Sequence, residues 1–201
     1  MPDIDSLVPK TAQPDDNLSS IRLPIVDIGP YLDPSASADA RRATASAVDK
    51  ACREFGFLYV TGHGIPKERL DSMLELGHKF FELPQDVKDS IHISKSMDGV
   101  RGYQKIGENV TYAKRDQQEA IDIYPEPATP TTDQLNGSQL WPTEDMVPGL
   151  KASVLEYAET MKKIGLAFMQ AMSDAFGHED VWRQLSEDNY WSVFCEPLGP
   201  R

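Results

Sequence analysis

The most suggestive chemical pattern in the sequence is His178-Glu179-Asp180, which places an imidazole and a carboxylate two residues apart, and both groups are common metal ligands. Its surroundings favour a structural interpretation. Gly177 precedes it at the predicted end of a helix, and Glu179 and Asp180 suit the first turn of a following helix, where the helix dipole favours negative charge. No histidine follows Asp180 in the sequence. Because a metal motif needs its full ligand set, we predict that this one holds no metal.

The other histidines and the cysteine at position 52 offer weaker chemistry. His63 lies in the glycine-flanked turn 62–66, where we predict a hydrogen-bonded turn residue, with a contact to a substrate channel as the alternative. His78 and His92 share no helical spacing that would face one metal, and we expect both to be solvated. Cys52 belongs to the apolar side of a predicted helix and is interpreted as an inert core thiol. A Cys–His nucleophile is the unsupported alternative.

Two further polar groups lie in the middle of the chain. In Arg101-Gly102-Tyr103 the glycine permits close approach of the backbone, while Arg101 supplies an anion contact and Tyr103 a polar aromatic wall. The alternative is a loop that only packs. Asp116 and Glu119 resemble an acid/base pair, but a strand presents residues three apart on opposite faces. We therefore predict that both are surface carboxylates.

Charge and composition exclude several classes of partner. The 201 residues carry a formal net charge of -12 at pH 7 and no cluster of Lys or Arg, so nucleic acid and anionic lipid are unfavourable partners. No apolar run approaches the length of a membrane span. The acidic first 20 residues lack the pattern of a secretion signal, and two cysteines are too few for a disulfide framework. We predict a cytoplasmic protein that binds neither nucleic acid nor membrane.

Hydrophobic periodicity predicts a mixed α+β chain. Residues 1–21 show no periodicity and are predicted to be a flexible arm, and the apolar run 23–28 fits an edge strand. Small residues at helical spacing predict a helix capped by Ser37 and stopped by Gly56, and 57–60 fits a buried strand. The predicted apolar face of that helix comprises Ala40, Ala43, Ala47, Val48, Ala51, Cys52 and Phe55.

A second helix and a strand are predicted before the proline-rich part of the chain. Pro66 fits the first turn of a helix whose apolar stripe runs to Phe81, and a single turn covers 85–90. The glycine-containing stretch 91–112 indicates a loop, and 117–123 fits a strand.

One long helix dominates the rest of the chain. It follows a proline-rich connection at 124–148, and its apolar residues step by three and four over 148–176 to a stop at Gly177, about 42 Å at 1.5 Å per residue. A short helix at 179–185 and a strand at 190–195 are predicted after it. Seven apolar positions form its stripe: Leu150, Val154, Tyr157, Met161, Ile164, Phe168 and Met172. We expect the preceding helices to leave part of this stripe uncovered.

Several motifs occur in an order that resembles a known family. The run Leu23-Pro24-Ile25-Val26-Asp27-Ile28 and then Phe55-Gly56-Phe57-Leu58-Tyr59-Val60-Thr61-Gly62-His63-Gly64-Ile65-Pro66 resemble the opening of the isopenicillin N synthase-like dioxygenases. Further matches are Phe80-Phe81-Glu82-Leu83-Pro84 with Lys88, Arg101-Gly102-Tyr103, Asp116 with Glu119, Leu140-Trp141-Pro142 and Phe176-Gly177. The resemblance spans residues 22–193 and fails at about Phe194. Gly62 departs from it, since the family often has Asn there.

The resemblance implies a fold and a chemistry. It implies the helix-rich N-terminal domain, at 22–193, of a non-haem iron(II)/2-oxoglutarate-dependent dioxygenase, whose few strands would join a jelly-roll barrel; residues 194–201 are a divergent tail. Family members hold iron with His-x-Asp and a distant His, and bind 2-oxoglutarate with Arg-x-Ser, and this sequence has no matching positions for either. It also implies that Arg101 and Tyr103 approach the substrate.

Two functions from different classes follow. The first is the N-terminal domain of an oxidoreductase that couples oxidation of a small organic substrate to decarboxylation of 2-oxoglutarate. As given, this chain is then expected to be catalytically inactive, to bind no iron(II) or 2-oxoglutarate, and to need the missing catalytic barrel as its partner. The alternative is a short, non-catalytic binding or regulatory module of the same ancestry. In the first case we expect the uncovered apolar surface to favour self-association, and in the second the same surface would bind a partner.

Overall fold

The computed structural model describes residues 22–124 and 137–177. Five predicted features lie wholly or partly outside this part of the chain: the arm at 1–21, most of the proline-rich connection, the helix at 179–185, the strand at 190–195 and the tail at 194–201. No helix among the described residues is both long and apolar enough to cross a membrane.

The first layer is a parallel pair of short strands. Strand β1, Ile25–Asp27, pairs with β2, Tyr59–Thr61, so that Ile25 lies opposite Tyr59. The edge strand predicted at 23–28 is confirmed. The strand predicted at 57–60 is present but starts two residues later, and the prediction that it is buried is wrong, because the side chains of Phe57 and Tyr59 are 73% and 62% exposed. Nothing among the described residues covers that face of the sheet.

Helices α1 and α2 connect the two strands. Helix α1, Gly29–Leu32, is a single turn that the sequence analysis did not predict, and α2, Ala38–Glu54, is capped as expected by the Ser37 hydroxyl, which accepts from the Ala40 amide at 3.2 Å. The predicted apolar face of α2 is partly wrong. Thr44, Ala45, Val48 and Ala51 are the buried residues, whereas Ala43, Ala47 and Cys52 are exposed. Alanine does not indicate which face of a helix is buried, because it is tolerated on both the buried and the exposed face.

The next helices follow their proline signals. Helix α3, Lys67–Phe81, has Pro66 at its N-cap and buries Met73, Gly77, Phe80 and Phe81. Pro84 likewise precedes α4, Gln85–Asp89, which confirms the single turn predicted there. A proline at these positions removes only an amide that would have no partner inside the helix.

The stretch 91–112, predicted as a loop, contains two strands instead, and a third follows directly after it. Strand β3, Gly102–Gln104, pairs antiparallel with β6, Ala120–Asp122, within the strand predicted at 117–123. Between them, β4, Val110–Thr111, and β5, Lys114–Arg115, form a hairpin. These strands are two or three residues long, too short for an alternating pattern to stand out from the sequence.

Helix α5, Leu150–Phe176, confirms the long helix and its stop at Gly177. Its first half packs on one core cluster, which contains Phe80, Tyr103 and Ile121, and its second half packs on another, which contains Val26, Ile28 and Val48. The apolar stripe is better covered than expected, since Met161 is its only exposed position. Exposed apolar side chains remain on the outer face of β1 and β2 and in the segment 97–112, where Met97 and Tyr112 are 91% and 95% exposed.

Candidate functional site

The residues with the richest chemistry gather around the pair of strands β3 and β6. Gly102 begins β3 with φ +125°, and a Cβ atom at this position would overlap the carbonyl oxygen of Ile91. The same carbonyl accepts a hydrogen bond of 2.9 Å from the Tyr103 amide. The glycine is therefore required for β3 to pass this close to the preceding turn. It places Arg101 and Tyr103 at their observed positions.

Arg101 is 2% exposed and ties together three segments of the chain. Its guanidinium pairs with Asp98 and lies 5.3 Å from the ring centre of Tyr124. Asp98 also accepts from the amide of Gly137 at 3.0 Å, so it joins the loop before β3 to the chain at 137. Arg101 is thus a buried residue that holds this loop in place, and its guanidinium also contacts the ring of Tyr124.

Tyr103 is fully buried and donates its hydroxyl proton to Oε2 of Glu119 at 2.6 Å. The side-chain amide of Gln85 donates to the same hydroxyl at 3.2 Å. Burial, followed by the hydrogen bond to Glu119, raises the pKa of Tyr103 well above its ordinary value. Tyr103 therefore stays neutral and acts as a donor to Glu119 throughout the physiological range.

Lys88 completes this interior cluster. Its Nζ lies 2.7 Å from Oε2 of Glu119 and donates to the carbonyl of Phe81 at 3.0 Å, and the two charged side chains are 8% and 12% exposed. The prediction that Glu119 is a surface carboxylate is wrong. β6 starts only at Ala120, so the alternation argument does not reach back to Asp116 and Glu119. The spacing of Lys88 and Glu119 in sequence carried no signal of their pairing.

Beside this interior cluster lies an open cavity of about 440 Å³. Six of its lining residues have polar side chains: His92, Gln104, Glu108, Asn109, Asp122 and Tyr124. Ile93, at the start of a 3-10 turn, and the loop residues Gly99 and Val100 line the rest. The cavity adjoins the predicted substrate-proximal residues, since Val100 precedes Arg101 and Gln104 follows Tyr103. Sequence reasoning did not identify this cavity, because its walls come from four separate segments.

The acidic side of the cavity is held by hydrogen bonds. Glu108 contacts Nε2 of His92 at 2.8 Å and accepts from the Lys105 amide at 3.0 Å. Burial acts to raise the pKa of Glu108, but these two hydrogen bonds and the positive charges of His92 and Lys105 together outweigh it and leave that pKa below its ordinary value. The expectation that His92 is a solvated residue is wrong, because its side chain is only 17% exposed and bound to Glu108.

The remaining sequence candidates lie apart from the cavity. His63 is a turn residue as predicted, with its Nδ1 accepting from the Ile65 amide at 3.1 Å. His78 is half-buried on α3, where we expected a solvated residue. Cys52 is exposed, so its interpretation as a core thiol is wrong. The motif His178-Glu179-Asp180 lies outside the described residues.

The described residues offer no set of ligands for a metal ion. Within 22–124 and 137–177, no group of three or more His, Cys, Asp or Glu side chains is arranged to hold one. This part of the chain therefore does not fit the two-His, one-carboxylate set that iron(II) oxygenases use.

Gly62, where the resembled family often has Asn, directly follows β2 and lies against Asp27. It has φ +68°, and a Cβ atom there would overlap the carboxylate of Asp27. Asp27 is held in place by the amide of Gly29, which donates to its Oδ1 at 2.8 Å. A side chain at position 62 therefore requires Asp27 to move.

The fold and these interior contacts define a helix-rich α+β domain with two short strand pairs and a hairpin. Residues 23–144 match the family described as non-haem dioxygenase in morphine synthesis, N-terminal. The chain therefore belongs to this family of N-terminal dioxygenase regions.

Relatives by sequence are dioxygenases and hydroxylases. A homoarginine-6-hydroxylase of Glycine max is 33% identical over 84% of this chain and 54% of its own length. A 2-oxoglutarate-dependent dioxygenase of Aspergillus niger is 29% identical over 80% of this chain and 50% of its own length. The chain thus spans about half the length of these curated relatives.

Solved structures show the same fold. A 2OG-Fe(II) oxygenase family protein of Caulobacter crescentus has a TM-score of 0.64 at 17% identity, and the match covers 82% of this chain and 51% of that one. The rice dioxygenase for auxin oxidation has a TM-score of 0.52 at 21% identity, covering 78% and 46%. At these identities the likeness concerns the fold alone.

Proposed function

We propose that this chain forms the N-terminal half of an iron(II)/2-oxoglutarate-dependent oxidoreductase that oxidises a small organic substrate. In the whole protein, a C-terminal barrel would hold iron and 2-oxoglutarate, whose decarboxylation to succinate accompanies oxidation of the substrate. The family match over 23–144, together with the half-length span of the relatives, carries this proposal. The 201 residues alone are inactive in this account.

The outer face of β1 and β2 supports a barrel as the missing partner. Ile25 and Tyr59, opposite each other in the register, are 69% and 62% exposed, and Phe57 next to them is 73% exposed. Strands at the edge of a sheet also carry unpaired backbone groups that another strand can satisfy. A barrel whose sheet continues from this pair would cover both the apolar face and the free edge.

Arg101 and Tyr103 keep a role near the substrate in this proposal, but an indirect one. Both are buried in the described part of the chain, so they act as positioning residues. Arg101 supports the Tyr124 ring, and Tyr103 fixes β3 through Glu119. The residues that would face a substrate are their neighbours along the cavity wall.

Succinate formation tests the proposed function directly. The reading frame that contains residues 1–201 is extended beyond the codon for Arg201, and the longer protein is incubated with iron(II), 2-oxoglutarate, oxygen and ascorbate, which supplies the two electrons that a substrate would otherwise give. We expect the longer frame to encode His-x-Asp, a distant His and Arg-x-Ser, and to convert 2-oxoglutarate to succinate, while residues 1–201 alone form none. A longer protein with these motifs and no turnover would contradict the proposal.

Exposure of the β1–β2 face predicts that purified residues 1–201 self-associate. Burying apolar surface is worth about 25 cal/mol per Å², so three exposed side chains on one face favour association. Size-exclusion chromatography should show dimers or larger species, and Tyr59→Lys should shift the chain toward monomer because it places a charge in the centre of the face. Leu155→Lys is the control, since Leu155 is 47% exposed but lies on α5.

Two results would contradict this prediction. One is an equal shift toward monomer in both variants. The other is a monodisperse monomer with a cooperative melt above about 60 °C, high for a mesophilic domain, which would favour the alternative of a self-sufficient binding module.

A further inference from the structure

The cavity beside β3 and β6 has the size of a small-molecule site. Its volume of about 440 Å³ lies within the range of about 300 to 1,000 Å³ that is usual for such sites. Its walls come from the turn at His92, the loop before Arg101, the chain after β3 and the end of β6. Carboxylates on a convex surface contact only solvent. Here the polar side chains line the same cavity, so that one ligand can contact several of them.

The lining is rich in hydrogen-bond acceptors and negative in charge. Glu108 and Asp122 supply carboxylates, and Gln104 and Asn109 supply amide carbonyls, while the described lining residues include no lysine or arginine. The one lining side chain that can become cationic, His92, is bound to Glu108, and the Lys105 ammonium outside the lining lies 4.0 Å from the same carboxylate. A carboxylate offers about four lone-pair sites, so each can accept from a ligand in addition to its present partners.

Hydrogen bonds between the lining residues hold this acceptor surface in place. The side chain of Asn109 donates to the Gln104 carbonyl, and the Gln104 amide in turn donates to the carboxylate of Asp122. Asp122 is fixed on β6, where it lies opposite Gly102. Ordered acceptors lose little freedom when a ligand binds, which favours recognition of a group with several fixed donors.

A metal ion fits this lining poorly. His92, Glu108 and Asp122 are the residues of metal-binding type here, and no group of three such side chains within the described residues is close enough to hold an ion. Acceptors on separate walls are better matched by a planar cation with spread N–H donors. A guanidinium has five N–H donors in a rigid fork and pairs with carboxylates through two parallel hydrogen bonds.

We propose that this cavity is the subsite for a guanidinium group of the substrate, recognised by Glu108 and Asp122. This inference rests on the proposed function, because only the proposed reaction would make the bound ligand a substrate. It names the substrate class as a guanidinium-bearing small molecule. Binding of the guanidinium itself needs only residues of this chain. It can therefore be measured without iron, 2-oxoglutarate or the barrel.

L-arginine and L-citrulline provide a matched pair of probes. Both carry the α-ammonium and the α-carboxylate. In L-citrulline a neutral ureido group replaces the guanidinium of L-arginine. Isotope-labelled residues 1–201 are titrated with each and followed by the backbone amide signals of Gly99, Val100 and Asn109, which line the cavity. We expect saturable shifts with L-arginine and binding of L-citrulline at least about tenfold weaker, because a charge-assisted hydrogen bond is lost.

Variants locate the binding in the cavity. Glu108→Gln and Asp122→Asn should each weaken L-arginine binding about tenfold or more. Glu159→Gln removes the same charge from an exposed position on α5 and should leave binding unchanged. Asp122 is buried, so its variant is used only where the amide spectrum stays native; Glu108, whose side chain is 30% exposed, provides the variant that tolerates substitution.

The outcomes separate this inference from the proposed function. Equal binding of L-citrulline, absence of saturable shifts, or an effect of Glu159→Gln as large as that of Glu108→Gln would overturn the guanidinium subsite. None of these results bears on succinate formation by the longer protein. Conversely, a longer protein without turnover would contradict the oxidoreductase and leave the measured L-arginine site in place.

Discussion

Replacing Gly102 by alanine is expected to destabilise the protein by more than about 3 kcal/mol. The backbone there has φ +125°, and a Cβ atom would overlap the carbonyl oxygen of Ile91, which is itself bound to the Tyr103 amide. Strain of this kind costs about 1 to 3 kcal/mol by itself, and the overlap with backbone cannot be relieved by a rotamer change. Against a total stability of about 5 to 15 kcal/mol, the loss is severe.

Gly99→Ala is the matched control, three residues earlier in the same loop. Gly99 also has a positive φ of +69°, but nothing lies within 4 Å of the position of its Cβ atom. Thermal melting followed by circular dichroism should place Gly102→Ala at least about 6 °C below the unchanged protein, since about 2 to 4 °C corresponds to each kcal/mol at this chain length, and below Gly99→Ala, which has the positive φ without the overlap. Equal melting temperatures would contradict the close approach of β3 to Ile91.

Lys88→Met is expected to cost about 3 to 5 kcal/mol, because it leaves the carboxylate of Glu119 buried without its cation. Lys88 Nζ and Glu119 Oε2 are 2.7 Å apart, and the two side chains are only 8% and 12% exposed. Adding Glu119→Gln to Lys88→Met should recover part of the loss, since the neutral amide can still accept from Tyr103. Urea unfolding of the two single variants and the double variant measures this coupling.

An exposed ion pair of the same length serves as the control. Lys79 and Glu75 are also 2.7 Å apart, but their side chains are 57% and 67% exposed on α3. Lys79→Met should barely change the urea midpoint, because solvent screens an exposed pair. If Lys79→Met and Lys88→Met shift the midpoint equally, the interior position of the Lys88–Glu119 pair is refuted.

Helices were the part of the fold that the sequence predicted best. Ser37, Pro66, Pro84 and Gly177 mark helix ends through local chemistry, and α2, α3, α4 and α5 follow them within one or two residues. Such signals act within one turn of the chain, so no knowledge of distant contacts is needed.

Strand burial could not be predicted, because it depends on what covers the sheet. The apolar composition of 57–60 indicated a buried strand, yet Phe57 and Tyr59 are exposed in the described chain. If a barrel covers this face in a longer protein, the same composition describes the surface that the barrel would bury.

The candidate site was predicted in part. The glycine between Arg101 and Tyr103 indicated a close backbone approach, and the structure has one at Gly102. The role of Arg101 and Tyr103 near a substrate stays a prediction. Glu119 and His92 were wrongly predicted to be solvated. Their partners, Lys88 and Glu108, come from other segments of the chain, and a single sequence does not indicate which distant residues pair.

In the proposed function, the iron and 2-oxoglutarate chemistry lies outside the 201 residues of this chain. Anaerobic calorimetric titration of residues 1–201 with iron(II) and 2-oxoglutarate measures this. We expect no saturable site for either ligand, because the sequence lacks a full His-x-Asp and distant His set and lacks Arg-x-Ser. A micromolar iron(II) site that His178→Ala abolishes would contradict it.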